Sequence, residues 1–280
     1  MIAYFDTNVF DHLEQRSNGV TEEDWVRLGR AVKLDYLRVV ISFLVIEETL
    51  LFIPRDPERA ESRVKLMLEL GDKRLFVLGQ EVIMNNDIRA YAHGTSSSSP
   101  FISMEPWTEF NIRKFAKPAG DYMSELQDLI EEVRCDKMTF KEFLDKGKAR
   151  VKPMADTIGV KQYPFEHYWA NNSEWLAESL ADRAGVLSEV KQRGLDGFLK
   201  VKSVAVAVGT NLSLIYSHHI ENRAPKLGES RDIIHSIVAS TADLFITNDG
   251  PLETILTRIP AGDFKVMSLR AFLNSLPKWV

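Results

Sequence analysis

At both ends of this chain short apolar runs alternate with amphipathic stretches, whereas the middle carries helical periodicity alone. Ile2-Ala3-Tyr4-Phe5 reads as a strand, residues 21–33 as a helix, Leu37-Arg38-Val39-Val40-Ile41 as a second strand, and a helix begins near Ser42. Pro54 and Pro57 end that helix, since proline lacks the N–H that continues the ladder. Helical spacing resumes from Glu58 to Leu70, with Val64 and Leu68 on one side, and Gly71 separates it from a strand at Arg74-Leu75-Phe76-Val77-Leu78. The tail returns to alternation, with a helix at 232–241, a strand at 244–247, a helix at 251–258, a strand Phe264-Lys265-Val266-Met267 and a last short helix from Leu269. Alternating elements of this kind predict a parallel sheet.

Between roughly 94 and 222 no clear strand pattern appears. Gly94-Thr95-Ser96-Ser97-Ser98-Ser99-Pro100 has loop composition. Beyond it, Tyr122, Leu126, Leu129, Ile130 and Val133 recur at helical spacing, as do Leu176, Leu180, Ala184, Leu187 and Val190. Val204, Val206 and Val208 alternate like a strand, but Val201, Val204, Ala205, Val208, Leu212 and Ile215 fit a helix over a longer span, and the helix is preferred. The expectation is an α/β domain formed by 1–93 and 223–280, carrying an all-helical subdomain at 94–222.

Composition narrows the class. A 280-residue chain that is 45% hydrophobic can bury a substantial core. A single cysteine, Cys135, excludes an intramolecular disulfide and suits a reducing compartment. The N-terminus has no basic, apolar leader pattern and no run approaches membrane-spanning length, so a cytoplasmic protein without a membrane partner is expected. The net charge of -5 gives no global attraction to nucleic acid, so binding there requires a local basic surface or a metal ion.

The candidate chemistry lies in four carboxylates. Asp6 closes the first strand and Asp249 follows the strand at 244–247, while Glu48 and Asp232 sit on helical patterns. In open α/β sheets ligands bind beyond the carboxyl ends of strands, so these acids can converge despite their separation in sequence. Two carboxylates about 5 Å apart repel by roughly 3 kcal/mol at an effective dielectric near 20, and four compound the cost. A counter-ion is therefore required, and oxygen ligands suit Mg²⁺ or Mn²⁺.

Four short motifs carry a family resemblance. They are Asp6-Thr7-Asn8 after the first strand, Ser42 with Glu48 six residues later, Asp232 opening an apolar small-residue helix, and Thr247-Asn248-Asp249 closing a strand. In this order they resemble the PIN-domain metal-dependent ribonucleases. The resemblance covers the two ends only, because the stretch between Glu48 and Asp232 is far longer than the family's usual spacing. It implies a three-layer PIN-like fold and Mg²⁺- or Mn²⁺-dependent hydrolysis of RNA phosphodiesters. Asp6, Asp232 and Asp249 would be ligands, with Glu48 holding a water or a second ion, Glu47 the competing candidate for that place, and Asn8 and Thr247 orienting these groups from behind. Asp243 is a secondary fifth acid, for which a turn role is favoured. Family habit adds a toxin role with a small antitoxin partner, and the insertion suggests substrate access or a homodimer contact.

Other signals are weaker. Lys141, Lys146, Lys148, Arg150 and Lys152 form the densest basic stretch, and Lys146, Lys148 and Arg150 are its candidates for RNA backbone contact, although charge runs are usually solvated helix faces. Tyr163, Phe165, Tyr168, Trp169 and Trp175 read as core anchors before base-stacking groups. His235 shares a helix face with Asp232 and reads as a packed structural histidine before a group reaching a phosphate. No zinc spacing, P-loop, nucleophile elbow or dinucleotide fingerprint is present. Two alternatives stay open: a non-catalytic RNA-binding or scaffold module on the same fold, and a metal-dependent nuclease acting on DNA.

Overall fold

The computed structural model describes residues 1–77, 79–116, 123–158, 163–261 and 263–278, with side chains described except at 115, 123–126 and 147–158. Leu78 and Tyr122, and the side chains of Leu126, Lys148, Arg150 and Lys152, lie outside the described residues. In chain order, β1 (Ile2–Phe5) leads to α1 (Thr7–Gln15) and α2 (Glu22–Lys33), β2 (Arg38–Ser42) to α3 (Phe43–Leu50) and α4 (Pro57–Leu70), and β3 (Gly71–Val77) to α5 (Gln80–His93). The insertion then runs through α6 (Pro106–Phe115), α7 (Met123–Ile158), α8 (Phe165–Arg183), α9 (Leu187–Arg193), α10 (Leu195–Phe198) and α11 (Lys202–His219). The chain closes with α12 (Glu229–Ala239), β4 (Leu244–Ile246), α13 (Gly250–Leu256), β5 (Lys265–Met267) and α14 (Leu269–Ser275).

The strands form one sheet in the order β3-β2-β1-β4-β5, and each neighbouring pair is parallel. Ala3, Tyr4 and Phe5 in β1 are fully buried, as a central strand covered on both faces requires. The chain first builds outward from β1 through β2 to β3, then returns after the insertion to lay β4 on the free edge of β1. The β1/β4 boundary is thus where strand order reverses, the position at which open α/β sheets place ligands.

Strand ends and helix starts share residues. Asp6 caps α1 by accepting from Thr7 N, Ser42 caps α3 by accepting from Val45 N, Asp249 caps α13 through Leu252 N, and Ser268 caps α14 through Ala271 N. These short polar side chains satisfy amide donors that a helix start leaves open. Thr21 and Asp24 form a reciprocal capping box at α2.

Several boundaries differ from the sequence reading. Gly228 adopts φ 105°, a left-handed conformation open to glycine, and α12 starts at Glu229, so Asp232 sits within its first turn instead of opening it. β3 begins at Gly71, where a Cβ would lie 2.2 Å from Ile41 Cγ1; only glycine lets β2 and the chain leaving α4 approach this closely. The ambiguous valine stretch is helical. Val204, Val206 and Val208 are each fully buried in α11, and a helix that is apolar on all sides satisfies strand and helix periodicities together. The aromatic cluster of α8 packs inward, with Phe165 and Tyr168 rings 5.4 and 5.5 Å from Tyr216 of α11, while Trp175 is exposed. No helix among the described residues is long and apolar enough to cross a membrane.

Candidate metal centre

At the carboxyl edge of β1 and β4 the backbone turns bring one amide and two polar side chains against one carboxylate. Asp6 Oδ1 accepts from Thr7 N at 2.7 Å, and its Oδ2 accepts from Asn8 Nδ2 at 2.6 Å and Thr247 Oγ1 at 2.7 Å. Asn8 Oδ1 accepts in turn from Asn248 N at 3.1 Å, and Thr247 Oγ1 from Asp249 N at 3.1 Å. The Asp-x-Asn and Thr-x-Asp motifs are thereby knitted into one loop pair, held in place by the β1–β4 register of Phe5 against Ile246.

Glu48 reaches the same point from α3. Its Oε2 accepts from Thr7 Oγ1 at 2.6 Å and from His235 Nε2 at 2.9 Å. Its neighbour Glu47 faces away and accepts from Arg231 Nη1 at 2.7 Å, which settles the geometry between the two: Glu48 is the one at the cluster. His235 Nδ1 lies 2.7 Å from Tyr4 OH, itself 3.1 Å from Ser42 Oγ, so a buried chain of hydrogen bonds fixes the imidazole. Ligand atoms of Asp6, Glu48 and His235 all lie within 4.8 Å of one another, close enough to coordinate a single ion.

The electrostatics follow from crowding acids in a buried place. Burial raises the Asp6 carboxyl, opposed by His235 and by the Thr247 hydrogen bond. Burial alone would lower His235, but Glu48, through charge and hydrogen bond, together with Asp6 and Asp232, raises it to about 9. Burial works against the charge of Glu48, yet His235, Thr7 and Lys137 hold it down at about 2. Asp232 is pushed up to about 7, by burial first and then by Asp6 and Asp249. Attraction between His235 and the carboxylates of Glu48 and Asp6 therefore offsets part of the cost of burying these acids together.

A cleft of about 640 Å³ opens over this centre. Among the described residues, five carboxylates line it, Asp6, Asp11, Glu48, Asp232 and Asp249, together with five cations, Arg55, Arg63, Arg134, Lys137 and Arg231. Ile130, Val133, Arg134 and Lys137 come from α7, so the helical insertion forms part of the cleft wall. Asp232 and Asp249 thus share the cleft with the cluster without joining the tight triad, and Asp249 spends Oδ1 on the cap of α13.

Other sequence candidates lie elsewhere. Asp243 sits at the opposite end of the strands, where its Oδ2 accepts from Ile2 N at 2.7 Å, a structural pin outside the cleft lining. Lys146 is exposed, 3.7 Å from Glu142, and does not line the cleft. His235, read from sequence as a packing residue, is both buried and part of the cluster. Its three-residue spacing from Asp232 was the available signal, but the partner that gives it a role, Glu48, comes from a distant helix. The basic residues of the cleft were likewise missed, since they are scattered over α3–α4, α7 and α12.

Compared with family models, with curated proteins and with solved structures, the chain matches none. Its class is accordingly that of a parallel α/β sheet flanked by helices, with a buried Asp/Glu/His cluster able to hold a divalent metal ion.

Proposed function

We propose that this chain is a PIN-like, divalent-metal-dependent endoribonuclease hydrolysing phosphodiester bonds. The observation that carries the reading is the convergence of Asp6, Glu48 and His235 ligand atoms within 4.8 Å at the point where strand order reverses, with Asp232 and Asp249 lining the same cleft. Two carboxylates and an imidazole form a mixed oxygen and nitrogen donor set. That set fits Mn²⁺ better than Mg²⁺, which prefers oxygen alone.

Asp6, Glu48 and His235 would hold the ion, with Asp232 and Asp249 as further acidic contacts. A bound divalent ion supplies charge neutralisation at a phosphoryl oxygen and a lowered pKa for the attacking water. The chain's own groups set the geometry. Thr247 and Asn8 orient Asp6, Thr7 orients Glu48, and Tyr4 fixes the His235 ring, the outer contacts that keep ligands aligned. RNA as the polymer and a toxin role with a small antitoxin rest on the family resemblance of the four motifs, and a cytoplasmic setting rests on the single cysteine.

The test is cleavage of a mixed RNA pool and a matched single-stranded DNA pool with Mn²⁺, Mg²⁺ or EDTA, comparing the wild type with a folded Asp6→Asn/Asp249→Asn variant. Metal-dependent RNA cutting that the variant loses is expected. Cutting of DNA alone would move the substrate class, and no cutting of either polymer by a metal-loaded protein would leave a non-catalytic binding module.

A further inference from the structure

Not all cations of the cleft are equivalent. Arg63 is tied to Asp11, Arg134 to Glu131 and Arg231 to Glu47. Lys137 on α7 and Arg55 in the turn after α3 line the same cleft and make no ion pair among the described residues. Lys137 is half-buried, and its field acts on Glu48. Placing an ammonium out of full hydration without a partner is unfavourable unless an anion completes it. Arg63 adds a second unfilled donor: its side chain is 3% exposed, and its Nε has no hydrogen-bond partner.

We propose that Lys137, Arg55 and Arg63 form a phosphate subsite beside the acidic cluster, where α7 of the insertion closes on the α3–α4 turn and holds a backbone phosphate next to the scissile one. This rests on the nuclease reading for the identity of the polymer, but its contacts are independent of the metal ligands. A cleft of about 640 Å³ is large for a lone phosphate and of the size that takes a ligand of several rings. Arginine and lysine donors suit phosphate oxygens, the guanidinium by its fork and the ammonium as a point charge. The exposed ring of Phe52 lines the same wall with the Arg63 guanidinium 5.0 Å from its centre, giving a base a flat surface beside that cation. The insertion thereby supplies part of the polymer grip on a chain whose overall charge is negative.

Binding of a fluorescent single-stranded RNA oligonucleotide is to be followed by anisotropy in EDTA and in Mg²⁺ over a salt series. The proteins are the wild type, Lys137→Gln/Arg55→Gln, and Lys65→Gln on the exposed side of α4, with melting curves to verify folding. The double variant is expected to bind about tenfold more weakly, with its salt slope reduced by about 1.4, while Lys65→Gln matches the wild type. Equal affinity and slope for double variant and wild type would overturn the subsite, as would a wild type that binds no oligonucleotide. Displacement of the oligonucleotide by polyglutamate at equal charge would overturn its phosphate character. If wild type binds, the double variant does not, and nothing is cleaved, the subsite stands and the nuclease reading falls. Cleavage with undiminished binding in the double variant gives the reverse.

Discussion

Asp72 shows how a single carboxylate organises the outer edge of the sheet. It accepts from Arg74 N, Nε and Nη2 and from Arg38 Nε at 2.7 Å, and these contacts, the Arg74 hydrogen bond foremost, hold its carboxyl well below the usual range. A depressed folded pKa means that its stabilisation is complete above the unfolded value and is lost as pH falls through the folded one. Asp72→Asn should therefore lower the urea midpoint at pH 7, with the gap to wild type narrowing at pH 2; a gap that is constant with pH would show that the charge of Asp72 is not what stabilises the edge. At the candidate centre the same scale separates Glu47 from Glu48. Adjacent residues on a helix point about 100° apart, so one meets Arg231 and the other meets His235.

Helix α12 brings Asp232 and His235 to the cleft, and its placement depends on a buried polar knot at its start. Glu229 is 1% exposed and accepts from His218 Nε2 at 2.8 Å, Arg223 Nη2 at 2.7 Å and Lys226 N at 3.2 Å, while His218 Nδ1 faces Arg223 O. These contacts fasten the first turn of α12 to the end of α11. Glu229→Gln weakens charge-assisted bonds in a place where water does not replace them, so a loss of about 2 kcal/mol is expected in urea unfolding, with Mn²⁺ affinity falling as Asp232 and His235 lose alignment. Unchanged stability would mean that α12 is held by its apolar face alone. The valines of α11 show why element type was the harder reading there: with every side buried, hydrophobicity carries no phase to read.

For the whole molecule, the return of the chain to the β1 edge after the insertion decides where the site falls. It places β4 beside β1, so Thr247 meets Asp6 and the two loops share hydrogen bonds although one lies near each end of the chain. Gathering Asp6, Glu48, Asp232 and Asp249 around one cleft stores repulsion that a cation relieves. Mn²⁺ at a hundred times its dissociation constant should stabilise the folded chain by about 2.7 kcal/mol, read as a higher melting temperature than in EDTA. The Asp6→Asn/Asp249→Asn variant should lose most of that increment; an equal Mn²⁺ shift in the variant would place the ion elsewhere.

The strands and the helices α2, α3, α4, α12, α13 and α14 were legible in the sequence because they depend on local rules: apolar runs long enough to cross a sheet, helical periodicity, and prolines and glycines at ends. So were the positions of Asp6 and Asp249 at strand ends, since a cap residue marks its own place. The pairing of Glu48 with His235, the diversion of Glu47 to Arg231, the distance of Asp243 from the cleft, and the assembly of Arg55, Arg63 and Lys137 were decided by tertiary structure. Each depends on the angle and depth at which separate helices meet the sheet, and one chain's periodicity encodes which face of a helix is buried but not which distant side chain that face will meet.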